Sequence, residues 1–241
     1  LIYEWSSSSH AAAGVNCSAC HSIQTDPEQA PQWDDHPDHR GCQSCHDIEV
    51  KHFQQGKHGM RVKSGLPPLT PDMARLPMNQ EALETEMQCT TCHGSHDFSL
   101  AEAAVESCLG CHEDEHSLAY RESPHFALWE KEMQGELPPG SGVSCATCHM
   151  PRMELDVSDW MSRTVVMHNQ NKTLVPNEKM IRPACLHCHG LEFSINALAD
   201  DVLVRNNFKG TSTHKTRSLE LAEIEQREHD EKLNSKDRET E

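Results

Sequence analysis

All 12 cysteines of this 241-residue chain fall within six copies of one pattern, Cys-x-x-Cys-His. The copies are Cys17-Ser18-Ala19-Cys20-His21, Cys42-Gln43-Ser44-Cys45-His46, Cys89-Thr90-Thr91-Cys92-His93, Cys108-Leu109-Gly110-Cys111-His112, Cys145-Ala146-Thr147-Cys148-His149 and Cys185-Leu186-His187-Cys188-His189. Two thiols at this spacing can form thioethers to the two vinyl groups on one porphyrin edge. The histidine directly after the second cysteine can then reach under the ring and ligate iron. The pattern predicts six c-type haems attached to these cysteines, with His21, His46, His93, His112, His149 and His189 as proximal ligands. A disulfide framework needs an even cysteine count but no histidine after every second one. Zinc ribbons pair two Cys-x-x-Cys knuckles around one metal, again without a required histidine. Thioredoxin-like redox motifs occur singly. Six copies with no cysteine left over fit none of these.

A haem iron has a sixth coordination position, and 12 of the 18 histidines remain after the proximal ones are removed. Neutral imidazole is a good iron ligand, and axial identity is the protein's main lever on haem potential. His10 ends a serine run before the first motif, and His58 sits in Lys-His-Gly. His96 follows the third motif in Cys-His-Gly-Ser-His, and His116 lies just after the fourth. His125 stands in Ser-Pro-His-Phe, and His168 in Val-Met-His-Asn-Gln. These six are the expected distal ligands. His36, His39, His52 and His187 stay undecided, and His214 and His229 lie in a polar tail. Met60 and Met150 are near motif histidines but are expected to pack, since histidine is abundant enough to satisfy the irons.

The elements that must position these residues look short. The first cysteines fall at 17, 42, 89, 108, 145 and 185, so haems attached there must adjoin one another. Apolar residues make up 36% of the chain and aromatic ones 5%, against roughly 45–50% apolar in ordinary soluble domains. The expected fold is mostly α with extensive loops, its core formed by stacked covalent haems. Helix is expected over 80–87 and 99–107, and over 116–134 with a break at Pro124. The four prolines of 62–78 read as loop, and no alternating strand pattern is read anywhere. Residues 1–210 are expected to form a hexahaem domain and 211–241 a charged C-terminal helix or tail, with helix favoured. Ser9-His10 before Gly14-Val15-Asn16-Cys17 resembles Ser123-Pro124-His125 before Gly142-Val143-Ser144-Cys145, as duplicated haem modules would.

The formal net charge is −17, which excludes a nucleic-acid partner because phosphate binding needs a basic footprint. Redox proteins are expected instead, such as a quinol-oxidising membrane module or other cytochromes, with steering that weakens as salt rises. A homo-oligomer or larger complex is compatible with such a role. No run of 18 apolar residues and no signal-peptide pattern is read. The start at Leu1-Ile2-Tyr3-Glu4-Trp5 fits a mature form or one lacking an upstream N-terminal membrane anchor. Covalent haem attachment places the chain on the periplasmic or extracellular side of the cytoplasmic membrane.

Residues 108–210 resemble the last three haem modules of the hydroxylamine oxidoreductase-like multihaem cytochromes. The resemblance rests on Cys111-His112 with Asp114-Glu115-His116, Tyr120 and Ser123-Pro124-His125. It continues through Gly142 to Arg152, His168-Asn169-Gln170-Asn171, and Cys185 to Leu191 with Asn196-Ala197-Leu198-Ala199-Asp200 behind. Lys57-His58-Gly59 and Cys92-His93-Gly94-Ser95-His96 are also at home there. That family, typically octahaem, oxidises hydroxylamine or hydrazine or reduces nitrite, and is related to pentahaem nitrite reductases and tetrahaem carriers. The resemblance implies that the haem on Cys42, Cys45 and His46 would stand where the family has its five-coordinate catalytic haem. The oxidising members crosslink a tyrosine beyond the last haem to that porphyrin, but here the only tyrosines are Tyr3 and Tyr120. The pentahaem reductases use lysine as the proximal ligand, whereas all six motifs here end in histidine.

The leading expectation is electron transfer through six haems, mostly or all bis-histidine ligated. The alternative is an enzyme of nitrogen-oxide metabolism with an open iron near His46, where Asp34, Asp35, His36, Asp38, His39 and Arg40 could supply polar groups.

Overall fold

The computed structural model describes residues 1–24 and 28–239. A Cys-x-x-Cys-His turn fits one turn of helix, and three of the six motifs are complete five-residue helices: α3 (Cys17–His21), α7 (Cys89–His93) and α12 (Cys145–His149). So short a helix holds few internal hydrogen bonds, and its end groups need side-chain partners. Asn16 accepts from the Ala19 amide at 3.3 Å. Ser144 and Thr147 cap each other reciprocally, and the Gln88 backbone amide donates to the Thr91 hydroxyl at 3.1 Å. Gly94 ends α7 at φ 72°, a left-handed conformation open to glycine at little cost.

The second motif straddles α4 (His39–Gln43), capped by Asp38, and the turn before α5 (Asp47–Gln55). The fourth overlaps α9 (Glu106–Leu109), and the sixth is a 3₁₀ turn, Cys185–His187. Ahead of these run α1 (Ile2–Ser6) and α2 (Ser9–Ala12). The two-residue strands β1 (Ser22–Ile23) and β2 (Gln32–Trp33) pair antiparallel, Ser22 against Trp33. Between α6 (Met60–Lys63) and α7 the chain is loop with 3₁₀ turns at Pro71–Met73 and Gln80–Ala82.

Residues 80–87 therefore form one 3₁₀ turn rather than the expected helix. The Asn79 amide donates to the Cys111 carbonyl at 2.9 Å, and Met78 bridges His112, so this segment lies along the fourth motif. Residues 99–107 split into α8 (Leu100–Ala104) and α9 at fully buried Val105, whose φ is −140°. Residues 116–134 break at Pro124 as expected. Helix α10 (Glu115–Ala119) and a 3₁₀ turn precede Ser123, which caps α11 (Pro124–Met133) with proline at its first position.

The expectation of no strand is corrected by the hairpin β3 (Arg152–Ser158) and β4 (Met161–Val166), paired antiparallel with Arg152 opposite Val166. Arg152-Met153-Glu154-Leu155-Asp156-Val157 alternates polar and apolar residues with period two, which is the strand signal that was missed. Helices α13 (Gln170–Thr173), α14 (Leu191–Leu198), α15 (Asp201–Arg205) and α16 (Arg217–Glu239) complete the chain.

The fold is mostly helical, with short helices and long connections. Buried apolar side chains are few among the described residues and scattered along the chain: Val50, Met87, Ala103, Val105, Tyr120, Val165, Met167, Met180, Ala197 and Leu203. A chain of this length ordinarily buries a far larger apolar core.

Candidate haem-binding site

Each of the six motif histidines faces one other histidine across a similar gap. The ring centroids are 6.0 Å apart for His46 and His10, 6.2 Å for His21 and His96, and 6.3 Å for His112 and His58. They are 6.2 Å apart for His93 and His168, 6.0 Å for His149 and His116, and 6.2 Å for His189 and His125. Interplanar angles range from 8° to 81°, so ring stacking does not set the spacing. Imidazole binds metals with bonds of about 2.0–2.1 Å; adding roughly 1 Å from each nitrogen to its ring centre puts trans ligands about 6 Å apart. The partners are the six histidines singled out from the sequence, and the pairing crosses the chain. His96, beside the third motif, faces the first; His58, after the second, faces the fourth.

Local structure fixes several of these rings. The Nδ1 of His21 lies 2.6 Å from the Asp34 carbonyl, and the Nδ1 of His168 lies 2.9 Å from that of Val166. The Nδ1 of His116 lies 2.5 Å from the Val204 carbonyl. A ring that donates Nδ1–H to a carbonyl leaves its Nε2 lone pair free for a metal. His10 differs, because its buried Nδ1 has no hydrogen-bond partner. Phe98 packs edge-on against it at 4.4 Å.

Two facing histidines occupy matching frames. Five residues before His10, Trp5 donates Nε1–H to the Val15 carbonyl at 3.0 Å. Five residues before His125, Tyr120 donates its hydroxyl to the Val143 carbonyl at 2.8 Å. Ser8 and Ser123, each two positions before the histidine and buried, cap the helices that carry it. In both frames the histidine precedes one motif and faces the next. The repeat read from Gly-Val-x-Cys thus extends to side-chain hydrogen bonds, and its aromatic member went unread because tryptophan and tyrosine differ.

At seven of the facing imidazoles burial favours the neutral form, the one that binds a metal. It lowers His58 to about 4, aided by His112, and lowers His149 to about 4, aided by His116. His93, His112, His125, His168 and His10 are lowered mainly by the same cause. Burial also pushes the Cys92 thiol up to about 11 and that of Cys148 up to about 12. The neighbouring Cys89 thiol also pushes the Cys42 thiol up, and the Cys145 thiol pushes up that of Cys108, so thiols of successive motifs lie close together. A cavity of about 340 Å³ beside the second motif is lined by Asp38, His39, Phe53, Val62, Leu66 and Met87, among others. Paired thiols, facing neutral imidazoles and a sparse apolar core fit covalently held haem. Among the described residues no group of three or more His, Cys, Asp or Glu converges as a bare-ion site.

Among the described residues, His36, His39, His52, His187 and His214 are not paired with a motif histidine. His36, His187, His214 and His229 are exposed. His39 lies 4.0 Å from Asp38, and His52 is buried near Lys172 and His168. Met60 is exposed. The carbonyls of Asp34, Val166 and Val204 carry no sequence signal, because any residue could supply them.

Turns that each present two thiols and an imidazole, with a second imidazole opposite, define a multihaem c-type cytochrome. Residues 81–157 match the family model described as cytochrome c3, and residues 41–96 match that of cytochrome c554 and c-prime. The chain is accordingly a multihaem c-type cytochrome that carries covalent haem and works in haem-based electron transfer. No curated protein matches the chain.

Proposed function

We propose that the chain binds six c-type haems, each between one motif histidine and the histidine facing it, and conducts electrons through them. Bound haem supplies an iron that cycles by one electron between ferrous and ferric. The observation that carries this reading is the set of six facing pairs at 6.0–6.3 Å, with every motif histidine used once. Two strong ligands per iron hold it low-spin in both states, so little rearranges when an electron arrives or leaves. Adjoining motifs supply the short haem-to-haem steps that conduction needs. The pairing and the likeness over residues 108–210 support a reading of the chain as a member of the hydroxylamine oxidoreductase-like group, and c-type attachment supports a periplasmic or extracellular location. No helix among the described residues is long and apolar enough to cross a membrane. Its partners are other redox proteins, including a quinol-oxidising membrane module.

The absorption spectrum of dithionite-reduced protein with and without carbon monoxide, after a pyridine haemochrome count, tests the reading. Six haems and an unchanged spectrum are expected. Fewer haems, or a shift in the native protein, would refute it. A second reading, an enzyme of nitrogen-oxide metabolism acting at His46, draws on one observation: His10 opposite it has a buried Nδ1 without a partner. A ligand held so loosely could give way to a small nitrogen oxide. A shift amounting to about one haem in six would favour it.

A further inference from the structure

Among the described residues, the first and last motif histidines, His21 and His189, each carry a second aromatic ring on the motif imidazole itself, which the four motif histidines between them lack. Trp33 stacks on His21 at 4.8 Å with the planes 8° apart, and Phe193 stacks on His189 at 4.7 Å and 22°. Trp33 is 58% exposed and Phe193 41%. The other four motif histidines have only their facing histidines as ring neighbours.

The two ends differ in charge. Between Leu1 and Arg40 the chain has six acidic residues and one arginine; Glu4 pairs with the N-terminus and Asp38 with Arg40, and Asp34 and Asp35 adjoin Trp33. Between Arg182 and Thr216 four basic residues stand against three acidic ones. Trp33 lies within the acidic stretch, held by the β1–β2 ladder and by its Nε1–H donating to Asp35 Oδ1 at 2.9 Å. Asp35 is exposed, and Asp34 is half-buried beside it.

We propose that the face around Trp33 is the docking surface for a positively charged redox protein, which exchanges one electron with the first haem there. This rests on the reading of the chain as an electron carrier. The acidic residues steer the partner in, and Trp33 supplies the apolar contact that brings the two redox centres close. One electron passes between partner and haem; no bond is made or broken and no proton moves.

The test is stopped-flow oxidation of the reduced full-length protein by a lysine-rich monohaem cytochrome c. The wild-type rate is expected to fall at least roughly tenfold between about 10 mM and 300 mM salt. At low salt, Trp33→Ala is expected to slow exchange roughly five- to tenfold. Trp160→Ala removes a ring that is 83% exposed but stacks on no histidine, and is expected to match wild type. Asp35→Asn keeps the ring and should slow exchange at low salt only, so it decides the matter if Trp33→Ala loses a haem. A salt-independent wild-type rate, a Trp33→Ala or Asp35→Asn protein as fast as wild type, or an equal loss in Trp160→Ala would overturn the proposal. Haem count and dithionite reduction of each protein report separately on the electron-carrier reading.

Discussion

Asn207 donates its side-chain amide to the backbone carbonyl of His116 at 3.0 Å, clamping that histidine from a segment far along the chain. Asn207 is buried and left-handed at φ 55°, a conformation asparagine tolerates better than most residues. It brings the Val204 carbonyl to the His116 Nδ1 and Phe208 to within 6.3 Å of the ring.

Asn207→Ala should lose this bond and strain the backbone, costing about 1–3 kcal/mol in thermal or denaturant unfolding. Asn207→Gly relieves the strain but not the lost amide, so it should fall between wild type and alanine. Equal stability of all three would refute the clamp.

His58→Gly should free the iron opposite His112 without removing a haem. Carbon monoxide should then shift about one haem in six of the reduced spectrum. His187→Ala, at an exposed histidine in the sixth motif, should give no shift.

Gly56 is a close-approach point between the end of α5 and the loop that carries His168. A Cβ there would stand 2.5 Å from the His168 carbonyl and 2.6 Å from Gln170 Oε1. Gly56→Ala should cost about 1–3 kcal/mol from overpacking. It should also perturb the third haem, seen as a shifted midpoint in a redox titration, and Gly65→Ala, in open space but at φ 70°, should leave the potentials alone.

Glu132 holds the loop before the fifth motif, accepting from the Gly140 amide at 2.8 Å and the Gly142 amide at 2.5 Å. These donors hold its carboxyl below the usual range, the Gly140 amide first. A depressed carboxyl stabilises the fold above its ordinary pKa of about 4.3, and that stabilisation fades as pH falls through the lower folded value. Glu132→Gln should therefore lower stability at pH 7 by about 1 kcal/mol or less after solvent screening, seen as a lower melting temperature. The gap should close towards pH 3; a constant gap would count against the assignment.

Thiol-and-imidazole turns are set by residues within five positions of one another, so the Cys-x-x-Cys-His pattern alone carried the reading of where haem would attach and which histidine would be proximal. Proline, serine and glycine placed breaks such as that at Ser123-Pro124 for the same local reason. Composition announced a core too poor in apolar side chains to stand alone. The β3–β4 hairpin was legible in its alternation yet went unread, and residues 80–87 failed as a helix because contact with Cys111 outweighed propensity. Only the tertiary structure decided which histidine faces which motif. His96 facing His21 and His58 facing His112 join segments whose separation along the chain carries no record of their meeting in space. It alone also put Trp33 on His21, since a two-residue ladder holds too few side chains to leave a pattern. Short-range covalent geometry is written in order along a chain, whereas facing ligands and end-capping rings arise when separate turns pack.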